Sequence, residues 1–276
     1  MNQTFSWSRF GRLLRTYFVE NRGALLTNFA LLTGLLIVIN LLFYSSYPAD
    51  VERNRSIPFF LLGWSTWYTF VWQQTDLLNH KERAISYLLR PASLLEKFAL
   101  FWLVTGLGFV LVYLLLFTLI DATGVVYVNN RPWSATDLAQ IRQRSGLLQI
   151  KPYYASDAFW PPTGVLILTS LLHPLALTFL LIIRRYSLPL VAVLAFVLFM
   201  VGQLGNQFIV QKLVDATDVV NVIPFKRLTV QSPDGLTYRN VDVAQPIGSH
   251  LAYLVSFTAL ILLYVTAYFR LKEREV

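Results

Sequence analysis

Six apolar runs, each near the length a helix needs to cross a bilayer, constrain this chain more than any other feature. They occupy residues 24–44, 57–78, 98–120, 163–183, 188–210 and 249–269. About 20 consecutive apolar residues span the hydrocarbon as a helix, because every backbone polar group is then satisfied inside the segment. The expected fold is therefore an all-α polytopic membrane protein with six transmembrane helices. Composition agrees: 55% of the 276 residues are hydrophobic, only 14% are charged, and the mean hydropathy is +0.53. Soluble domains carry about 25% charged residues.

The net charge of +8 is clustered beside the apolar runs and not along one soluble face, which argues against nucleic acid as a partner. The chain has no cysteine, so disulfides, thiolate metal sites and cysteine nucleophiles are excluded.

Ahead of the first run, residues 5–22 place Trp7, Phe10, Leu13, Leu14, Tyr17 and Phe18 on one helical face and Arg9, Arg12 and Arg15 on the other. This pattern predicts an interfacial helix, with its arginines toward anionic lipid or a cytoplasmic partner. The plainer reading is a basic flank that only sets topology. The second run is rich in aromatics, and Trp67 and Tyr68 lie near its middle, where they either pack between helices or line a substrate path.

Residues 79–97 form a charged break between the second and third runs. Pro91 disfavours a helical Arg90 and ends the arriving helix. Ser93 and Glu96 then have the spacing of a capping box, immediately before the third run. The break reads as a cytoplasmic elbow that starts the third span cleanly.

The loop 121–162 carries a second such pair, Ser134 and Asp137, ahead of a short helix 135–145 that Gly146 would close. In the fifth run the patch Gly202-Gln203-Leu204-Gly205-Asn206-Gln207 suggests a broken or re-entrant helix end, or simply the membrane boundary. Gln203 and Asn206 are its candidates for a substrate path. Residues 228–231 and 236–241 flank Ser232-Pro233-Asp234-Gly235 and predict a β-hairpin outside the membrane, so the loops are expected to hold small α/β elements.

Orientation follows from the cations. The N-terminus, the elbow, the Arg184-Arg185 turn and the tail hold 13 of the 23 Lys and Arg in four short segments, whereas the other loops hold nine of the fifteen acids. The positive-inside bias puts both termini in the cytoplasm and the loops 121–162 and 211–248 outside.

Little in the runs supports catalysis. The histidines are His80, His173 and His250, and Ser170 stands one helical turn from His173, with no carboxylate or glycine elbow beside the pair. His173, next to Pro174, reads as a packing site at a kinked helix. Asp76 and Asp121 fall at predicted span ends, which is poor support for an ion-coupled carrier. No metal-binding or phosphate-loop motif occurs, so any ATP hydrolysis belongs to another chain and no catalytic, cofactor or metal residue is expected here.

The elbow also carries a resemblance. Leu88-Leu89-Arg90-Pro91-Ala92-Ser93, followed by Glu96-Lys97-Phe98 at the start of an apolar helix, resembles the cytoplasmic loop of type-2 ABC transporter permeases, with Arg90 where that family has leucine. The resemblance implies the membrane subunit of an exporter in a bacterial cytoplasmic (inner) membrane. It would act as a homo- or heterodimer with two ABC ATPase subunits that hold the ATP and magnesium. The elbow would be the coupling helix, presenting His80, Lys81, Glu82, Arg83 and Arg90 to the ATPase, with the N-terminal helix on the same face. The competing expectation is a membrane scaffold or sensor whose outer hairpin binds an extracytoplasmic partner.

Overall fold

The structure, a computed structural model, describes residues 4–79, 87, 90–156, 161–214, 219–223, 227–231, 237–242, 244 and 246–274. The chain is mostly helical and divides into two compact units, residues 1–162 and residues 163–274.

The first unit opens with α1, Trp7–Tyr44, a single helix of 38 residues. The separate interfacial helix expected over 5–22 is instead the first half of this rod. Gly23 is the only weak helix former at the expected break, and Asn21 caps nothing but donates back to the Tyr17 carbonyl at 2.9 Å, so the ladder continues. At 1.5 Å per residue α1 is about 57 Å long, nearly twice the ~30 Å of the hydrocarbon. The short helix α2, Pro48–Asn54, then turns into α3, Ser56–Asp76.

The next helix, α4, runs Leu94–Asn130 and contains a π-helical stretch, Trp102–Gly108. It passes well beyond the end expected at residue 120. The charge of Asp121 marks no boundary because its buried carboxylate is satisfied by the Tyr44 hydroxyl and by the Tyr153 amide at 2.7 Å. Arg55, also fully buried, lies 3.9 Å from Asp121 and 2.5 Å from Glu52, and donates to the Lys151 carbonyl at 2.5 Å. This network joins the end of α1 and the start of α3 to the body of α4 and to the loop after it. Buried charge of this kind is tolerated only when paired.

Beyond α4, Ser134 and Asp137 form the capping box of α5, Ala135–Arg144, and Gly146 adopts φ +67 just past its end, the left-handed position that glycine takes without penalty. Asp137 also accepts from the Tyr47 hydroxyl at 3.1 Å. The Ser134 and Tyr47 bonds hold its carboxyl below the ordinary aspartate range.

The core of this unit is aromatic. Tyr113, Phe117 and Tyr153 pack with Leu32 and Leu36, and Phe59 of α3 sits against all three rings. Two glycines permit the closest approaches. A Cβ on Gly63 would lie 3.1 Å from the Tyr113 ring, and one on Gly124 would lie 2.8 Å from the Tyr44 ring.

The second unit contains α6, Thr163–Ile182, α7, Ser187–Val214, and α8, Ile247–Glu273. A three-stranded antiparallel sheet lies between α7 and α8 in sequence: β1 Val219–Ile223, β2 Arg227–Gln231 and β3 Tyr238–Asp242, in that order. The paired strands β2 and β3 match the expected hairpin, whose turn 232–235 lies outside the described residues; β1 was not anticipated. Leu228 faces Val241, and Arg227 bonds Asp242 at 2.6 Å. The patch 202–207 is ordinary α-helix within α7, neither broken nor re-entrant. Gln203 satisfies its amide on the Val222 carbonyl at 3.3 Å, so polar residues here do not interrupt the ladder.

Among the described residues five helices, α1, α4, α6, α7 and α8, are long and apolar enough to cross a membrane, as in a multi-pass membrane protein. The remaining expected span, the second run at residues 57–78, corresponds to α3. At 21 residues it is long enough, but its Trp, Tyr, Ser, Thr and Gln residues lower its hydropathy and it is not among the five.

Candidate functional site: a groove beside the elbow

The elbow end of the first unit is organised by Glu96. Its neighbour Ser93 has extended backbone, and the Ser93 hydroxyl accepts from the Glu96 amide at 3.3 Å while the Glu96 carboxylate accepts from the Ser93 amide at 2.9 Å. The second carboxylate oxygen leaves α4 altogether. It accepts from the Ser6 amide at 2.7 Å and from the Arg9 guanidinium at 2.9 and 3.2 Å. One fully buried carboxylate thus closes the first turn of α4 and binds the first turn of α1, at a position where the helix dipole also favours an anion. Leu13 and Tyr17 of α1 then pack on Leu100 and Val104 of α4.

Arg90 makes its contacts within its own unit. It pairs with Glu20 of α1 at 2.5 Å, and its guanidinium stands over the Tyr87 ring at 5.5 Å. A mostly apolar cavity of about 280 Å³ is lined by this pair and by Tyr17 and Gln74, which bond to each other at 2.6 Å. His80, Lys81, Glu82 and Arg83 lie outside the described residues. On α1, Trp7 is exposed and touches Phe5 and Phe10, while Arg12 and Arg15 are exposed on the opposite side.

Further along the same helices an apolar groove of about 760 Å³ opens between α1, α3 and α4. Its α1 wall is a stripe at helical spacing, Phe18, Arg22, Leu25, Phe29 and Leu32. The α3 wall is Thr66, Thr69, Phe70 and Gln73. The α4 wall is one side of the π-helical stretch and the turn after it, including Leu103, Leu107 and Gly108. Asn28 donates to Gln73 at 2.8 Å across the groove. The π-helical stretch is short and local, the form in which it recurs at functional sites.

Trp67 serves this architecture from behind. It is buried, its indole donates to the Thr105 carbonyl inside the π-helical stretch at 2.6 Å, and its ring stacks on Phe109. It does not line the groove. The residues on α3 that do, Thr66, Thr69, Phe70 and Gln73, were missed although their i, i+3, i+4, i+7 spacing was legible; the run of aromatics drew attention to Trp67 and Tyr68. Tyr68 is half-buried and outside the groove wall.

In the second unit the histidine pairing suggested by spacing does not form. The Ser170 hydroxyl donates to the Ile167 carbonyl at 2.8 Å, and buried His173 meets the Tyr264 hydroxyl through Nδ1 at 2.9 Å. His250 is exposed. The Asn206 amide nitrogen is buried with no hydrogen-bond partner among the described residues, and no cluster of metal-ligating side chains occurs among them.

Neither a family model, nor a curated protein, nor a solved structure matches this chain.

Proposed function

We propose that this chain is the membrane-spanning permease subunit of a type-2 ABC transporter, an exporter that works as a dimer with two separate ATPase subunits. On this reading α3 also crosses the membrane and brings the spans to six, both termini are cytoplasmic, and the protein resides in a bacterial inner membrane. The observation that carries the reading is the Glu96 carboxylate. It joins the elbow, the start of α1 and the start of α4 into one mechanical unit, so force delivered at the elbow reaches both helices together. Closure of the ATPase pair would push this unit, tilt α3 and α4, and change access to a path between protomers.

The test is affinity purification of the tagged protein from mild detergent, followed by an ATP hydrolysis assay on the eluate. A phosphate-loop ATPase should co-purify and should be lost in the Glu82→Lys, Arg83→Glu double variant while membrane insertion is kept. Retention of the ATPase by that variant counts against the coupling role, and recovery of a stable, inactive protein alone counts against the transporter.

One observation favours a second reading, a membrane scaffold or sensor. Strand β3 ends the sheet order with all five residues exposed, a surface on which an extracytoplasmic partner strand can pair. A transporter alters ATPase turnover in a ligand-dependent way, whereas a scaffold does not.

A further inference from the structure

The groove between α1, α3 and α4 has one charged wall residue. Arg22 is exposed within its α1 wall, which runs from Leu14 to Leu35, and makes no hydrogen bond or ion pair among the described residues, whereas Arg9 and Arg90 in the same unit are both committed to carboxylates. The position of Arg22 along α1 is informative. It lies 22 residues before Tyr44, about 33 Å at 1.5 Å per residue, against ~30 Å for the hydrocarbon of a bilayer. With Tyr44 and the buried Arg55 network near one interface, Arg22 falls at the other, where arginine meets headgroups.

From Arg22 the apolar wall continues to Leu35, a further 13 residues or about 20 Å, slightly more than the depth of one leaflet. The volume, about 760 Å³, is within the ~300–1,000 Å³ range of ligand sites. A cation at headgroup depth, above an apolar slot one leaflet deep, is complementary to one molecule: an anionic phospholipid with its phosphate on Arg22 and an acyl chain along Phe29 and Leu107.

We infer that this groove is a binding site for a single anionic phospholipid, drawn from the leaflet on the Arg22 side. Guanidinium and phosphate make charge-assisted, bidentate hydrogen bonds, stronger than neutral ones; a zwitterionic headgroup offers the same phosphate but holds its own cation beside it, so its net attraction to Arg22 is weaker. The chain between Phe70 and Leu107 gains packing against protein in place of mobile lipid. The π-helical stretch shapes the slot. A Cβ on Gly108 would lie 3.0 Å from the Leu103 carbonyl oxygen, so this glycine keeps the widened turn and the wall open. The site does not depend on the transporter reading, since it requires only that α1 and α4 cross the membrane.

The experiment is native mass spectrometry of the full chain released from nanodiscs containing equal phosphatidylglycerol and phosphatidylcholine. One phosphatidylglycerol should remain per chain. Arg22→Gln should lower its retention about tenfold over phosphatidylcholine, the scale of one charge-assisted contact, and Leu107→Trp should fill the slot and abolish retention of either lipid. Arg12→Gln and Arg15→Gln, outside the groove, should leave retention unchanged. Equal retention of both lipids, or an Arg22→Gln variant that retains phosphatidylglycerol like the parent, overturns the inference. So does conversion of a dimer to a monomer by Leu107→Trp, which would assign the groove to a second copy of the chain. Because Arg22 is exposed and unpaired, melting of Arg22→Gln should match the parent; a lowered melting temperature would mean that Arg22 holds the fold and not a lipid.

Discussion

The Trp67 indole nitrogen donates at 2.6 Å to the Thr105 carbonyl, in the middle of the π-helical stretch of α4. A helix that changes from i→i−4 to i→i−5 bonding redistributes its carbonyl partners, and a donor from a neighbouring helix stabilises the change. Trp67→Phe keeps the stacking on Phe109 and removes the donor. The loss should be about 1–3 kcal/mol, the cost of an unsatisfied buried acceptor, read as a lower melting temperature in nanodiscs. A variant as stable as the parent would show that the π-helical stretch needs no such support.

Glu96 offers a test of the clamp between α1 and α4. Glu96→Ala removes the cap, the Ser6 bond and the partner of Arg9, and should destabilise the first unit by about 3 kcal/mol or more, as breaking a buried pair does. The N-terminal turns should then become accessible to trypsin at Arg9 and Arg12. In a double-mutant cycle with Arg9→Gln the two losses should be strongly non-additive; simple addition would mean that the ion pair is incidental.

Gly124→Ala brings a methyl within 2.8 Å of the Tyr44 ring and pushes its hydroxyl from Asp121. Overpacking of this sort costs about 1–3 kcal/mol. Gly34→Ala, where nothing lies within 4 Å, should be neutral or stabilising by up to about 1 kcal/mol. Thermal shift of the two variants in the same detergent separates a packing effect from a general dislike of substitution.

The cap of α5 should respond to acid. Asp137 is depressed by the Ser134 and Tyr47 hydrogen bonds, so the folded loop favours its charged form. That contribution is complete above the unfolded aspartate value of about 3.9 and fades as pH falls through the lower folded value. Carbon NMR of the Asp137 carboxyl should show a midpoint below the ordinary value, and Ser134→Ala should raise it while weakening α5 by about 1 kcal/mol.

The positions of the helices were legible because membrane crossing imposes length and apolarity on the residues themselves. Caps were legible for the same reason: Ser93 with Glu96, and Ser134 with Asp137, are local chemistry that needs no tertiary context. What escaped were features set at a distance. Asp121 reads as a span end until Tyr44 and Tyr153 are seen to satisfy it, and the junction of 5–22 with 24–44 reads as a break until α1 is seen to continue through it. Nothing in Trp102–Gly108 alone announces a π-helical stretch, since Trp67, 38 residues away, supplies the bond it receives. The free Arg22 was counted only as one of several basic residues, and became distinctive once Arg9 and Arg90 were found paired.

An unbroken α1 also behaves as a beam. On the placement inferred above, Arg22 divides it into an arm of about 24 Å outside the hydrocarbon and a longer shaft within it. With Arg22 as the fulcrum, a tilt of about 10° displaces the Ser6 end by about 4 Å while the far end near Tyr44 swings the opposite way. Whatever pulls on Glu96 therefore acts with leverage on Tyr44 and Asp121 at the far end of α1, with no relay of side chains needed between them.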